Sequence, residues 1–370
     1  MANEGDKGGG GLLNSKNIAA YGNALAKNMK DLRWWGDFLA RNALYIVVAF
    51  LVIFVHVHGF QYGYKISFIS FWNFTRIING AFGQLFLALG VGGIIVLGGA
   101  DLSAGRIMGL TACICASLLQ RPVEEYAEKM FPGLPVIPIF IVLLIAMAFG
   151  GIVGIANGFF VAKFKLHPFL VTLAMQLIML GAVLYYVTLN GTSSGRPISH
   201  VTEEYKVVVK GAVYIGDEPI PYYVFYAIMA AVAVWFMWNK TTLGKNMFAV
   251  GANPKAANVS GISVMATTMF VFMIAGLLYG VSGFVEAARI GSNSYMTGVG
   301  AELDAIAACA IGGVSLRGGV GKIRGIIAGI ILLQVFSVSV SWLGISGNLR
   351  YIIMGVIIIA ACATNMRKYR

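Results

Sequence analysis

The chain has 370 residues, of which 58% are hydrophobic and 11% charged, against roughly 25% charged in an ordinary soluble domain. So few charges cannot cover the surface of a soluble protein of this length. The net charge of +12 would suit nucleic acid if the basic residues formed a patch, but they punctuate long apolar runs instead, which makes the charge a topology signal.

Residues 1–42 read as a polar cytoplasmic leader. It begins with a glycine run at Gly8–Gly11 and continues into an amphipathic stretch over 32–39, with Trp34 and Trp35 at interface depth. Nothing in it resembles a signal peptide, because the first apolar run has no small-residue cleavage site near its end. Residues 43–366 read as the transmembrane domain and 367–370 as a basic cytoplasmic tail. Within that domain, uncharged runs cover 43–60, 77–100, 134–162, 166–195, 219–239, 256–285 and 325–349. Most reach the roughly 18–20 residues that a helix needs to cross the hydrocarbon core. Shorter runs at 107–120, 305–316 and 351–366 suit short, broken or re-entrant segments. The expectation is an all-α polytopic membrane protein of about ten transmembrane helices. Long unbroken runs do not suit the alternating strands of a barrel.

Charge sorts the connections. Lys163 and Lys165, Lys240, Lys245 and Lys255, Arg317, Lys322 and Arg324, and Arg367, Lys368 and Arg370 sit in segments without a carboxylate. Segments 121–135 and 191–221 hold the acids Glu124, Glu125, Glu128, Glu203, Glu204, Asp217 and Glu218. The positive-inside rule then puts both termini in the cytoplasm and the acidic segments outside. Cys113, Cys115, Cys309 and Cys362 lie in apolar segments without CxxC spacing or a nearby histidine set, so they read as buried hydrophobes and not as a metal site. His56 and His58 suit a membrane interface, and His167-Pro168 a helix start.

An internal repeat stands out. Gly98-Gly99-Ala100-Asp101-Leu102-Ser103-Ala104-Gly105 lies over Gly312-Gly313-Val314-Ser315-Leu316-Arg317-Gly318-Gly319 at an offset of 214, and the same register carries Leu119-Gln120 onto Leu333-Gln334. Repeated halves often build a central pathway in transporters, and clustered glycine permits close helix contact or a break. Gly98, Gly99, Asp101, Ser103, Gly105, Arg106, Gly312 and Gly313 are therefore pathway or gate candidates. Asp101, with no other acid within twenty residues, has two readings: an intramembrane functional group or a cap of the next helix, with Ser103 as a second cap candidate. Glu286 and Arg289, spaced i, i+3, read as a gate or as a structural pair. Glu302 and Asp304 read as helix caps or as vestibule residues. The amides of Gln84, Asn157, Gln176 and Asn293 can meet sugar hydroxyls or bridge helices.

Residues 239–263 form a basic connector long enough to hold structure of its own. Asn253 as N-cap, Pro254 in the first turn and Gly261 as terminator predict a short helix carrying Ala256, Ala257, Val259 and Ser260. Such a helix would protrude where a cytoplasmic partner could dock, with the two small alanines entering the partner's groove.

At these residues the chain resembles the monosaccharide branch of bacterial ABC permeases, the ribose and galactose type. The matching blocks are Gly99-Ala100-Asp101-Leu102-Ser103-Ala104-Gly105-Arg106, Trp238-Asn239-Lys240-Thr241, Gly244-Lys245-Asn246, Asn253-Pro254-Lys255-Ala256-Ala257 with Ser260-Gly261, and Glu286-Ala287-Ala288-Arg289-Ile290-Gly291-Ser292. They continue with Glu302-Leu303-Asp304-Ala305-Ile306-Ala307-Ala308, Gly312-Gly313-Val314-Ser315 and Gly318-Gly319-Val320-Gly321. The leader and residues 197–221 depart from the pattern. The resemblance implies a translocation subunit of an importer for galactose or methyl galactoside, with ribose, another pentose or a nucleoside as alternatives. It also implies a homodimer in the bacterial inner membrane, an ATPase docked at 251–262 through Gly251, Asn253, Pro254, Lys255, Ala256, Ala257, Ser260 and Gly261, and a periplasmic or lipoprotein sugar-binding protein on the other side. The chain has no Gly-x-x-x-x-Gly-Lys-Ser/Thr loop, so no cofactor is expected in it and ATP falls to another chain. An ion-coupled carrier would need more intramembrane ionisable groups. A membrane enzyme would need an HExxH, a GxSxG nucleophile elbow or a cluster of histidines and acids. The first and last are absent from the sequence, and its one GxSxG string, Gly191–Gly195, falls in a polar connection and not at a strand-to-helix elbow.

Overall fold

The long apolar runs fold as helices. In a computed structural model the described residues are 46, 48–59, 67–121, 129–135, 137–189, 196–347, 349, 352–357, 359 and 363. The expectations for the leader, the basic tail, Glu124, Glu125, Glu128 and Cys362 lie outside them. Residues 1–47 and 48–370 are separate units, and the description concerns the second.

Its elements are α1 (Val48–Gly59), α2 (Phe71–Val96), α3 (Ala104–Leu118), α4 (Ile139–Phe164), α5 (Pro168–Val187), β1 (Ile198–Ser199), α6 (Glu203–Lys210), β2 (Ala212–Ile215), β3 (Glu218–Pro221), α7 (Tyr222–Lys240), α8 (Thr242–Ala252), α9 (Pro254–Val259), α10 (Val264–Ile290), β4 (Ser292–Asn293), α11 (Ala301–Ile311) and α12 (Ile323–Trp342). Six of them, α2, α4, α5, α7, α10 and α12, are long and apolar enough to cross a membrane, while α1 and α3 are shorter apolar helices. The short runs at 107–120 and 305–316 become α3 and α11. The ends obey local rules: His167 caps α5 through Nδ1, with Pro168 in its first turn, as expected, and Ser263 caps α10.

The core is the crossing of α4 and α10. Gly150, Gly154 and Gly158 recur every four residues on one face of α4, and Gly276 and Gly280 do the same on α10. A Cβ on Gly150 would overlap the Gly276 carbonyl oxygen, and one on Gly276 would overlap that of Gly150. Glycine rows thus bring the two backbones into direct contact, where dispersion and not water exclusion holds membrane helices together. Helix α2 packs along α10 with Gly90 under Tyr279, and α3 packs with Met108 and Thr111 against Gly283.

The connections collect at two ends. At one, β1 pairs antiparallel with β4 (Ile198↔Asn293), Gln120 bridges Val201, and the Asn79 amide donates to the Pro219 carbonyl at 3.2 Å. Also at this end, the Tyr205 hydroxyl donates to the Phe284 carbonyl. The hydrogen bond from Lys206, with Arg121 close by, holds the exposed Glu203 carboxyl below its usual range. At the opposite end, Gly319 N–H donates to the Val96 carbonyl at 2.8 Å, and α8 and α9 lie beside it. The acidic segments share the first end and the basic segments that touch share the second, the partition that their charges predict. The two small sheets, β1–β4 and β2–β3, correct the all-helical expectation. They sit in 191–221 and just after α10, as strands of two to four residues that satisfy their backbone by pairing with each other.

The glycine crossing gives a stability test. Gly150→Ala and Gly276→Ala should each cost about 1–3 kcal/mol by forcing the backbones apart. Gly181→Ala, on an open face of α5, should be neutral or gain about 0.5–1 kcal/mol. Unfolding of the purified protein in mixed micelles measures both.

Candidate functional site: a polar cluster at two helix breaks

The first break lies between α2 and α3. Helix α2 ends when Gly98 adopts φ +93°, Gly98 N–H bonds to the Ile95 carbonyl and Gly99 N–H to that of Ile94, both at 2.9 Å. This glycine-terminated hydrogen-bond pattern satisfies the last carbonyls of the helix. Asp101 then turns the chain, its Oδ1 accepting from Ser103 N (2.8 Å) and Ser103 Oγ (2.6 Å). Ser103 stands at the N-cap of α3 but its side chain makes no cap bond; Asp101 lies against the backbone of Ser103 and of Ala104, at the start of the helix. Asn157 Nδ2 donates to Ser103 Oγ at 3.0 Å. The Thr172 hydroxyl donates to the Ala100 carbonyl and accepts from Leu102 N, each at 3.1 Å. The Tyr279 hydroxyl lies against Asp101.

The second break lies between α10 and α11. The chain leaves α10 at Gly291 and turns back through Gly298 and Gly300, all with positive φ. It descends along α3, with Cys113 Sγ donating to the Ser294 carbonyl and Arg106 Nη1 to that of Tyr295 at 2.9 Å. The two breaks meet at Gly105, where a Cβ would overlap Glu302 Oε2 and the Gly298 carbonyl oxygen. Gln176 Nε2 reaches Glu302 Oε1 at 3.5 Å. Two half-helices, α3 and α11, therefore direct their N-termini into one site, where their partial positive charge favours the Asp101 and Glu302 carboxylates. Asp304, half-buried, shares the first turn of α11.

Depth makes the cluster notable. Asn157 lies seven residues before the end of α4, about 10 Å along the helix, and Tyr279 fifteen residues into α10, about 22 Å. Asp101, Ser103, Asn157, Thr172 and Glu302 are buried. Asn157 Oδ1 and Glu302 Oε2 are enclosed and have no hydrogen-bond partner in the protein.

The other expected site residues separate from this cluster. Glu286 and Arg289 form a two-pronged ion pair, Nε to Oε2 at 2.7 Å and Nη2 to Oε1 at 2.9 Å, near the far end of α10 and over Gly83. Gly312 and Gly313 end α11 by the same rule that ends α2: Gly313 N–H bonds to Ala310 and Val314 N–H to Cys309. The repeat is real at this level, but its register slips. The positive-φ glycines are Gly98 and Gly313, an offset of 215, whereas the side-chain turns Asp101–Ser103 and Ser315–Arg317 keep the offset of 214. The extension to Leu119-Gln120 and Leu333-Gln334 fails, since Leu119 caps α3 and Leu333 lies inside α12. Of the four amides, Asn157 and Gln176 enter the cluster. Asn293 lies elsewhere, its Nδ2 donating to the Ala287 carbonyl and its Oδ1 buried without a partner. Sequence reasoning missed Thr172 and Tyr279; the four-residue spacing of Thr172 and Gln176 on one face of α5 was the readable signal.

The connector forms as expected. Asn253 Oδ1 accepts from Lys255 N (3.0 Å) and Ala256 N (3.1 Å), Pro254 opens α9, and Gly261 (φ +82°) closes it after Ser260. One expectation is corrected. Ala257 is only 4% exposed because it faces its own chain, so it cannot enter a partner's groove. The side chains on the free face are Lys255, Ala256, Asn258 and Val259, the last 88% exposed. Upstream, Gly251 is pressed against the Val96 carbonyl oxygen and Gly319 N, and Gly318 meets Gly98 and Gly251. The connector thus abuts the end of α2 and the loop between α11 and α12.

A bundle of apolar helices that buries polar groups between broken half-helices is the architecture of a membrane transport protein. Residues 73–362 match the family described as branched-chain amino acid transport system / permease component, and the chain belongs to it. It is 40% identical over 334 residues to the galactose/methyl galactoside import permease protein MglC of Haemophilus influenzae, covering 90% of this chain and 96% of that one. It is 39% identical over 344 residues to MglC of Salmonella typhimurium, covering 93% and 98%. The ribose import permease protein RbsC of Bacillus subtilis is 29% identical over 302 residues, covering 82% and 87%. No solved structure matches.

Substitution at the meeting point tests the cluster. Gly105→Ala should force Glu302 and the 298 turn away and reduce transport at least tenfold, while membrane insertion and yield persist. Uptake into vesicles, normalised to inserted protein, measures it.

Proposed function

We propose that the chain is the transmembrane translocation subunit of an ATP-binding-cassette importer for a monosaccharide, galactose or methyl galactoside. The observation that carries this reading is the likeness to MglC over nearly the whole of both chains. The ribose permease, less alike, supplies the second reading: a pentose. A neutral sugar suits the site, because a hydroxyl can satisfy an enclosed amide or carboxylate oxygen without carrying charge across the bilayer.

On this reading the protein is a multi-pass bacterial inner-membrane subunit of about ten spans, with α8 and α9 and both termini in the cytoplasm. It works as a homodimer with an ATPase below and a sugar-binding protein above. ATP hydrolysis belongs to the separate ATPase chain. Helix α9 meets the ATPase through its free face, with Val259 as the apolar knob, and its displacement shifts the inward–outward equilibrium of the pathway. The partition of loops to two ends and the long-range contact of Gly251 with Val96 support this arrangement.

Two measurements test it. With Cys362 replaced by Ser, a cysteine at Glu204 should label from outside and one at Lys255 only from inside; labelling of both from one side overturns the orientation. Val259→Glu should abolish ATPase co-purification and sugar uptake while leaving insertion unchanged, since the side chain is 88% exposed. Retention of both would remove α9 as the docking element.

A further inference from the structure

Helices α7 and α12 both pack on α2 but scarcely on each other. Between them runs a groove of about 270 Å³. Its lining is apolar, with Phe82, Ile228, Val232, Trp235 and Ile327 along it, and it holds one charged residue, Arg324. It cannot serve the sugar, because it offers no hydroxyl or amide to meet one.

Arg324 is exposed, and the three ion pairs among the described residues leave it out. The sequence on either side of it is poor in carboxylates. No Asp or Glu occurs from residue 305 to residue 370 or between Glu218 and Glu286, whereas Lys240, Lys322 and Arg324 lie at the ends of α7 and α12. Among the described residues no carboxylate pairs with Arg324, which leaves a free cation at the head of the groove. The groove itself is made for hydrocarbon, and the half-exposed Trp235 supplies an interfacial aromatic near its charged end. An apolar trough headed by an unpaired arginine matches one ligand: an acyl chain covalently joined to a phosphate.

We infer that the α2–α7–α12 groove is a binding site for an anionic phospholipid, with one acyl chain in the groove and the phosphate on Arg324. The orientation proposed above places that phosphate in the cytoplasmic leaflet. The site itself needs only the groove and the charge, so the test below does not depend on orientation.

The probe is phosphatidylglycerol against phosphatidylcholine with the same acyl chains, added to the full chain in detergent and counted by native mass spectrometry. The wild type should retain phosphatidylglycerol preferentially. Arg324→Gln should lower that affinity about fivefold and leave phosphatidylcholine unchanged. Ile327→Trp, which fills the groove, should reduce retention of both lipids. Equal phosphatidylglycerol retention by Arg324→Gln and wild type overturns the proposal. So does an Ile327→Trp protein that keeps its lipid but loses its oligomeric mass, since a second copy of the chain would then be the occupant.

Discussion

Irregular backbone inside a bilayer must be enclosed by protein, because lipid offers no hydrogen bonds to the N–H and C=O groups that a helix break releases. Among the described residues the chain breaks after α2 and before α11, the two turns meeting at Gly105, and the packing around them follows from that. Each break is closed locally by a glycine-terminated hydrogen-bond pattern or a side-chain turn, and then shielded by helices that come unusually close. The glycine rows of α4 and α10 give that closeness. With side chains in the crossing, the helices would part and Asn157 would no longer reach Ser103.

The same constraint explains what the sequence showed and what it hid. Long spans, their caps and the sorting of acidic and basic connections were legible because each rests on local composition. Asn253, Pro254 and Gly261 specified α9 through capping rules that need no tertiary information. The orientation of α9 was not legible, since a six-residue helix of small and polar residues has no clear apolar face; packing against its own chain turned Ala257 inward and left Val259 out. The repeat was visible as glycines, but its register was not. One more residue separates the positive-φ glycine from the turn-forming side chain in the first copy than in the second, and alignment by glycine identity conceals such a slip.

The polar cluster was half legible. Asp101, Ser103, Gly105 and Glu302 were suspect as rare polar or small residues beside breaks. Thr172 and Tyr279 belong to runs that look like ordinary spans, and only the fold brings them to Asp101. Glu286 and Arg289 show the converse. Their i, i+3 spacing offered a gate or a structural pair, and the structure shows the pair, each satisfying the other on one helix face.

A mechanical consequence links the connector to the centre. Gly251, at the end of α8, lies directly on the Val96 carbonyl, and Gly318 and Gly319 close the contact from the α11 side. No side chain intervenes that could absorb a displacement by changing rotamer. Val96 is followed within five residues by Asp101, through a turn whose backbone is held by Thr172 and whose serine is held by Asn157. On the function proposed above, a push on α8 and α9 would be delivered to stiff backbone and passed to the turn that carries Asp101. Packed helices elsewhere can only slide, at the cost of breaking glycine contacts. The breaks can re-form their hydrogen bonds in a second arrangement, because Asn157 Oδ1 and Glu302 Oε2 still have acceptor capacity unused in this one. The polar cluster is thus the element of the bundle best built to exist in two states.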